Sequence, residues 1–302
     1  MKRFRFQKLD AFARAGSPGN PAGMVLLDSF DQITPREMLG IARELKGFVS
    51  EVGYAARTGK AAFRLMYYSS EREVAFCGHA TIAILYQLIR TSEDLLGLEE
   101  IRIQTPMGDL AVENRIRAED SVYITAPPPA FSGRAISVED TAGALGLDLR
   151  EIRGDLPVRI VNAGLETLLV PLKGLAATLA LAPDEARLKE FCVAKAVDIV
   201  VVFSGEVADP RNRYRSRVFA PVFGYLEDPA TGSGNAALGS YLLERKMWDG
   251  EPISLEQNAS FATPNIVRLK AGKDPAAPFR VAFGGGAAVR MDGTYFLHDA
   301  AE

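Results

Sequence analysis

Apolar positions three and four residues apart mark the first helix of this chain. Thr34-Pro35-Arg36-Glu37 has the form of a capping box with proline at the first helical position. Met38, Leu39, Ile41, Ala42 and Leu45 then make one apolar stripe, and Gly47 offers a stop. Ser137-Val138-Glu139-Asp140 opens a second helix ending near Gly146, and 183–196 forms a third with Leu188, Phe191 and Cys192 inward. Two further segments differ in kind. Residues 79–89 (HATIAILYQLI) are apolar nearly all round, and small residues dominate 233–243 (SGNAALGSYLL); both patterns describe helices enclosed by other structure. Each follows a β-like run, 62–68 and 214–219. Other strands are predicted at 4–12, 24–27, 101–104, 121–125, 166–171, 199–203, 267–270 and 280–283.

The two enclosed helices form an internal repeat. Gly78-His79-Ala80-Thr81-Ile82 aligns with Gly234-Asn235-Ala236-Ala237-Leu238, and Gly19-Asn20-Pro21-Ala22-Gly23 before 24–27 is echoed by Val161-Asn162-Ala163-Gly164 before 168–172. Two similar α/β halves account for these matches. The proline run Ala126-Pro127-Pro128-Pro129 is the natural linker. A final strand after Gly284-Gly285-Gly286 returns to the first half, so the expected lobes are 1–125 plus 284–302, and 126–283.

Composition removes several classes of function. At 302 residues, with 48% hydrophobic and 24% charged side chains, the chain has material for a buried core and is expected to form two domains. A net charge of −3 lacks the basic surplus of a nucleic-acid binder. Two cysteines do not make a disulfide framework, and two histidines without Cys-x-x-Cys or His-x-x-x-His spacing give no metal site. Lys8, Asp10 and Arg14 interrupt any signal peptide, and Glu166, Pro171 and Lys173 break the apolar stretch 165–181, so neither export nor membrane insertion is expected. A cytoplasmic protein without metal or membrane partner is the expectation.

Candidate chemistry gathers at two glycine-rich turns. Cys77-Gly78-His79-Ala80-Thr81 and Asp228-Pro229-Ala230-Thr231-Gly232-Ser233-Gly234 each lead from a strand into a helix, where unsatisfied amides attract a carboxylate or phosphate. If the halves face each other, both helix starts can grip one anion. Neither turn has a dinucleotide or P-loop pattern, so a carboxylate is the expected ligand. Glu51, flanked by apolar residues in Phe48-Val49-Ser50-Glu51-Val52, is a candidate acid or base whose pKa burial would raise. His79 can titrate or donate a hydrogen bond, and Asp228 and Glu227 could orient a substrate amine or His79. Ser233 lacks the surroundings of a nucleophile elbow. Arg211, Arg213, Arg215 and Arg217 alternate and are read as a solvated or oligomer face, with Arg217 alone near the site.

Gly19-Asn20-Pro21-Ala22, Ser50-Glu51, Cys77-Gly78-His79-Ala80-Thr81, and Phe219-Ala220-Pro221 through Glu227-Asp228-Pro229-Ala230-Thr231-Gly232-Ser233-Gly234 resemble the PhzF-like (phenazine biosynthesis) isomerases. Glu256-Gln257 and Gly284-Gly285-Gly286 extend the match along almost the whole chain. The resemblance implies the diaminopimelate epimerase-like α/β fold: two pseudo-symmetric domains, each a curled mixed sheet around a central helix. It implies Glu51 as the acid/base, with His79, Asp228 and Ser233 as polar partners. It implies carboxylate-binding amides at Gly78, Gly232 and Ser233, no cofactor, a small carboxylate substrate, and a homodimer. Departures from the family pattern are Val52 for threonine, Gly234 for alanine, Asn258 for glycine, and Thr263-Pro264-Asn265 for an Arg-Pro-Ser-like segment. Two alternatives stand beside this reading. One is an amino-acid racemase or epimerase using one thiol per half, for which Cys77 fills the first position and Pro229 or Ser233, by register, the second. The other is a non-catalytic ligand-binding relative.

Overall fold

The computed structural model describes residues 1–14 and 16–298, which fall into two compact units. Unit 1 comprises Met1–Arg14, Pro18–Ile124 and the segment beginning at Gly284; unit 2 is built on Thr125–Phe283.

In unit 1, β1 (Lys2–Ala11) and β2 (Asn20–Leu27) pair antiparallel. The capped helix α1 (Pro35–Glu44) crosses to β3 (Glu51–Gly59), which lies parallel to β2. The Thr34 and Glu37 side chains bond each other's backbone amides, as the capping-box pattern predicts. β4 (Ala62–Ser69) runs back antiparallel to β3, and the two-residue β5 (Glu73–Val74) pairs with it. Helices α2 (Gly78–Arg90) and α3 (Glu93–Leu96) lead to β6 (Glu100–Thr105), parallel to β4. β7 (Gly108–Asn114), α4 (Ile116–Glu119) and β8 (Val122–Thr125) complete the run, β7 pairing with both β6 and β8. One core of the unit lies between α1 and the sheet. Met38, Ile41 and Ala42 pack with Val25, Val52, Tyr54 and Tyr68 there, and the Tyr54 hydroxyl donates to the Met38 carbonyl at 2.7 Å.

Unit 2 begins with β9 (Ala130–Phe131), α5 (Val138–Leu145), β10 (Arg159–Asn162) and β11 (Glu166–Pro171). Helices α6 (Leu175–Ala180) and α7 (Glu185–Ala194) cross to β12 (Ile199–Ser204), parallel to β11. β13 (Tyr214–Phe219), the two-residue β14 (Glu227–Asp228), α8 (Gly232–Glu244), β15 (Ile253–Gln257), β16 (Asn265–Ala271) and β17 (Val281–Gly285) follow. β13 is antiparallel to β12 and β14 and parallel to β15, and β15 is antiparallel to β16. The last strand, β18 (Ala287–Leu297), belongs to unit 1 and pairs antiparallel with β1.

The same sequence of pairings therefore occurs twice: hairpin, parallel crossover, antiparallel return, short flap, helix, parallel strand, hairpin. The structure also corrects the repeat register. β5 begins at Glu73 and β14 at Glu227, α2 at Gly78 and α8 at Gly232, an offset of 154. The sequence match of Gly78 with Gly234 is thus two residues out, misled by the likeness of the Gly-Asn-Ala-Ala run to Gly-His-Ala-Thr. His79 corresponds to Ser233, and Cys77 to Thr231. The second echo slips as well, because Asn20 opens β2 whereas Asn162 closes β10, the strand before its counterpart.

Both central helices are enclosed as their composition predicts. Eight of the thirteen residues of α2, and ten of the thirteen of α8, are buried. Among the described residues no helix is long and apolar enough to cross a membrane.

The arginine reading holds for Arg211 and Arg213, which are exposed, and is overturned at Arg215 and Arg217. Arg215 is fully buried and Arg217 is 5% exposed. Arg215 forms an ion pair with Glu256 at 3.0 Å and donates to the carbonyls of Asn258 and Ser260. Arg217 pairs with Glu227 at 2.8 Å and donates to the carbonyls ending α6. Alternation did place these side chains on one face of β13, but that face is covered and its charges are satisfied internally.

Candidate active site

In unit 1 the fold brings three reactive side chains together. Glu51 is the first residue of β3, registered between Ala22 and Ser69, and the amide of Ser50 donates to the Pro21 carbonyl at 3.1 Å. The Gly-Asn-Pro-Ala segment thus fixes where the carboxylate emerges. Cys77 is the N-cap of α2 and makes no side-chain cap. His79 is the second residue of that helix. Its Nε2 lies 3.2 Å from Glu51 Oε2, while Cys77 Sγ lies 3.4 Å from His79 Nδ1 and 3.8 Å from Glu51 Oε2. The Glu51 and His79 side chains are 19% and 13% exposed, so the cluster is sheltered and open on one side.

Behind it, Thr81 Oγ1 donates to the Cys77 carbonyl at 2.7 Å and shares a 2.7 Å hydrogen bond with the buried Tyr67 hydroxyl, holding the turn in shape. Burial disfavours a charged His79, but Cys77 and Glu51 outweigh it and hold the imidazole well above its ordinary value of 6.5. Burial also pushes the Cys77 thiol up, with His79 working in the opposite sense. Cys77 at the N-cap of α2 and His79 in its first turn stand at the positive end of that helix.

The corresponding turn of unit 2 is held differently. The Thr231 hydroxyl donates to the Asp228 carboxylate, and the Thr231 amide donates to Gln257 Oε1 at 2.9 Å. Gln257 Nε2 donates to the Asp228 carbonyl at 2.8 Å, and Asn235 Nδ2 donates to Gln257 Oε1 and the Thr231 carbonyl. Asp228 thus sits in β14 as part of this lattice. Glu227, its neighbour, is taken by Arg217. Ser233 and Gly232 open α8, and Thr231 makes no side-chain cap to the helix. A Cβ on Gly232 would lie 2.3 Å from the Phe283 ring, so only glycine fits there. At Gly234 the fit is tight but less strict, since a Cβ would meet Ile199 Cδ1 at 3.1 Å and Val201 Cγ2 at 3.2 Å. By ladder register Ile199 stands in β12 where Glu51 stands in β3.

Sequence reasoning missed the supporting residues. Gln257 and Asn235 are fully buried and brace the second turn, while Asn265, in the segment that departs from the family, donates to the Pro229 carbonyl at 2.8 Å. Glu256 accepts from the amides of Ala208 and Asp209 and from Asn212, fixing the loop before β13. The signal was the Glu256-Gln257 pair itself, polar residues at positions a strand would bury. Asn258 has φ +110, a conformation that suits the glycine expected there, and its side chain accepts from the Ser260 amide at 2.8 Å.

These features define a two-unit α/β protein with a carboxylate, an imidazole and a thiol gathered at the start of a buried helix. Residues 9–293 match the family described as phenazine biosynthesis-like protein (PhzC-PhzF), and the chain belongs to that family. It is 31% identical over 274 residues to the uncharacterized isomerase YfhB of Bacillus subtilis, covering 89% of this chain and 91% of that one. It is 30% identical to an uncharacterized isomerase of Deinococcus radiodurans, covering 96% and 94%. The fold matches a PhzF-family protein of Bacillus anthracis with a TM-score of 0.86 at 24% identity, covering 98% of this chain and all of the other. A hydroxyproline epimerase of Agrobacterium vitis shares the fold more distantly, with a TM-score of 0.57 at 11% identity.

Proposed function

We propose that the protein is an isomerase that moves a proton between carbons of a small amino- or hydroxy-carboxylic acid, with Glu51 as the acid/base and no cofactor required. The observation that carries this reading is the Glu51–His79 contact of 3.2 Å beside an uncapped helix start. The Glu51 carboxylate takes a proton from carbon. The electron pair left behind moves into adjacent unsaturation, and the Glu51 carboxyl returns the proton to the far carbon. The imidazolium of His79 stabilises the charge that develops on the substrate, and the amide of Gly78 at the start of α2 is assigned its carboxylate.

Such a shift needs a substrate with unsaturation next to the acidic carbon. Incubating the enzyme in D₂O with a panel of unsaturated amino- and hydroxy-acids should replace a carbon-bound hydrogen by deuterium, read by NMR. Glu51→Gln should abolish this while the protein stays folded by circular dichroism; exchange that persists in Glu51→Gln sinks the assignment. The two-thiol racemase reading loses support, because the residue corresponding to Cys77 is Thr231.

A further inference from the structure

We propose that Glu51, Cys77 and His79 form a preorganised site for one thiophilic divalent cation, with Zn²⁺ the best fit. Their donor atoms all lie within 4.8 Å of one another, although 26 residues separate Glu51 from Cys77 and hide the set from any spacing rule. The triangle formed by His79 Nε2, Glu51 Oε2 and Cys77 Sγ has edges of 3.2, 3.8 and 3.9 Å. A tetrahedral Zn²⁺, with bonds of about 2.3 Å to sulfur and about 2.0–2.1 Å to nitrogen and oxygen, separates such donors by roughly 3.3–3.6 Å. Shifts of a few tenths of an ångström therefore close the three-ligand face and leave a fourth position for water or a small anion. One thiolate, one imidazole and one carboxylate suit Zn²⁺ or Co²⁺ and disfavour Mg²⁺ or Ca²⁺, which take oxygen ligands. The thiol and imidazole release their protons as the ion binds.

The ion occupies the same Glu51 oxygen that faces His79, so it blocks turnover instead of assisting it. That consequence rests on the acid–base reading above; the binding itself does not, and an optical readout separates the two. Titrating the full chain with Co²⁺ in a non-chelating buffer should produce a thiolate-to-cobalt charge-transfer band that saturates at one equivalent and bleaches on addition of Zn²⁺. Cys77→Ser should abolish the band, whereas Cys192→Ser, which alters the thiol buried in the core of unit 2, should keep it. His79→Gln and Glu51→Gln keep the thiol and should each weaken Co²⁺ binding at least tenfold, which serves as the decisive comparison if Cys77→Ser does not fold. No charge-transfer band in the wild type, a band that survives Cys77→Ser, or affinity unchanged in both His79→Gln and Glu51→Gln would overturn the proposal.

Discussion

The two units repeat one set of strand pairings, yet their helix-opening turns differ in what is left to react. In unit 1, Cys77 and His79 meet Glu51, and the frame behind them (Thr81 and Tyr67) uses none of these three side chains. In unit 2 the polar groups of the turn are spent on one another, with Thr231, Asp228, Asn235 and Gln257 locked in a single network. Where unit 1 has the carboxylate of Glu51, unit 2 has the buried Ile199. The two units thus share one scaffold and differ at their turns: one gathers a carboxylate, an imidazole and a thiol, and the other binds its polar groups to one another.

The comparison breaks first at Glu51. Glu51→Gln should cut turnover by about 10²–10⁴-fold with the melting temperature nearly unchanged, as expected for loss of a general acid or base. A comparable loss of turnover in Ser233→Ala, assayed in parallel, would mean that the two turns are not divided in this way. Next comes unit 2's rigidity. Glu256→Ala leaves Arg215 buried without its partner and should cost about 3–5 kcal/mol in a urea melt, while activity per folded molecule changes little. A smaller effect is expected at the helix start, where Gly232→Ala drives a Cβ into Phe283 and should cost about 1–3 kcal/mol.

The finest test uses pH, because the two units respond with opposite sign. His79 is held above 6.5 in the folded protein, so its contribution is full below that value and is lost as pH rises through the raised pKa. Burial pushes the Glu256 carboxyl up, but the amides of Ala208 and Asp209, Asn212 and Arg215 outweigh it and hold it below 4.5. Its contribution is present above 4.5 and disappears as pH falls through the lowered pKa. The stability gap between wild type and His79→Gln should therefore narrow toward alkaline pH, and the gap to Glu256→Gln should narrow toward acid. Equal slopes for the two variants would dissolve the distinction.

Much of this was legible in local sequence. The capping box, the all-round apolar helix and the small-residue helix announced α1, α2 and α8, because capping and enclosure are written within a dozen residues. β3 was not legible: Glu-Val-Gly-Tyr-Ala-Ala-Arg-Thr-Gly is poor in β-branched residues and becomes a strand through pairing with β2 and β4. Arg215 misled for a related reason, since its partner Glu256 lies 41 residues away and nothing near the arginine shows that its charge is met. Glu51 and His79 were each visible singly, but their convergence with Cys77 needed the parallel crossover that sets β3 beside β2.

Asn258 carries a wider lesson about how this chain relates to others of its kind. Asparagine tolerates a positive φ better than most side-chain-bearing residues, and here its own amide group steadies the bend it occupies. What the fold requires at that point is a backbone angle, not a letter. A pattern search that insists on glycine there passes over this chain, while one written in terms of dihedral angles retains it.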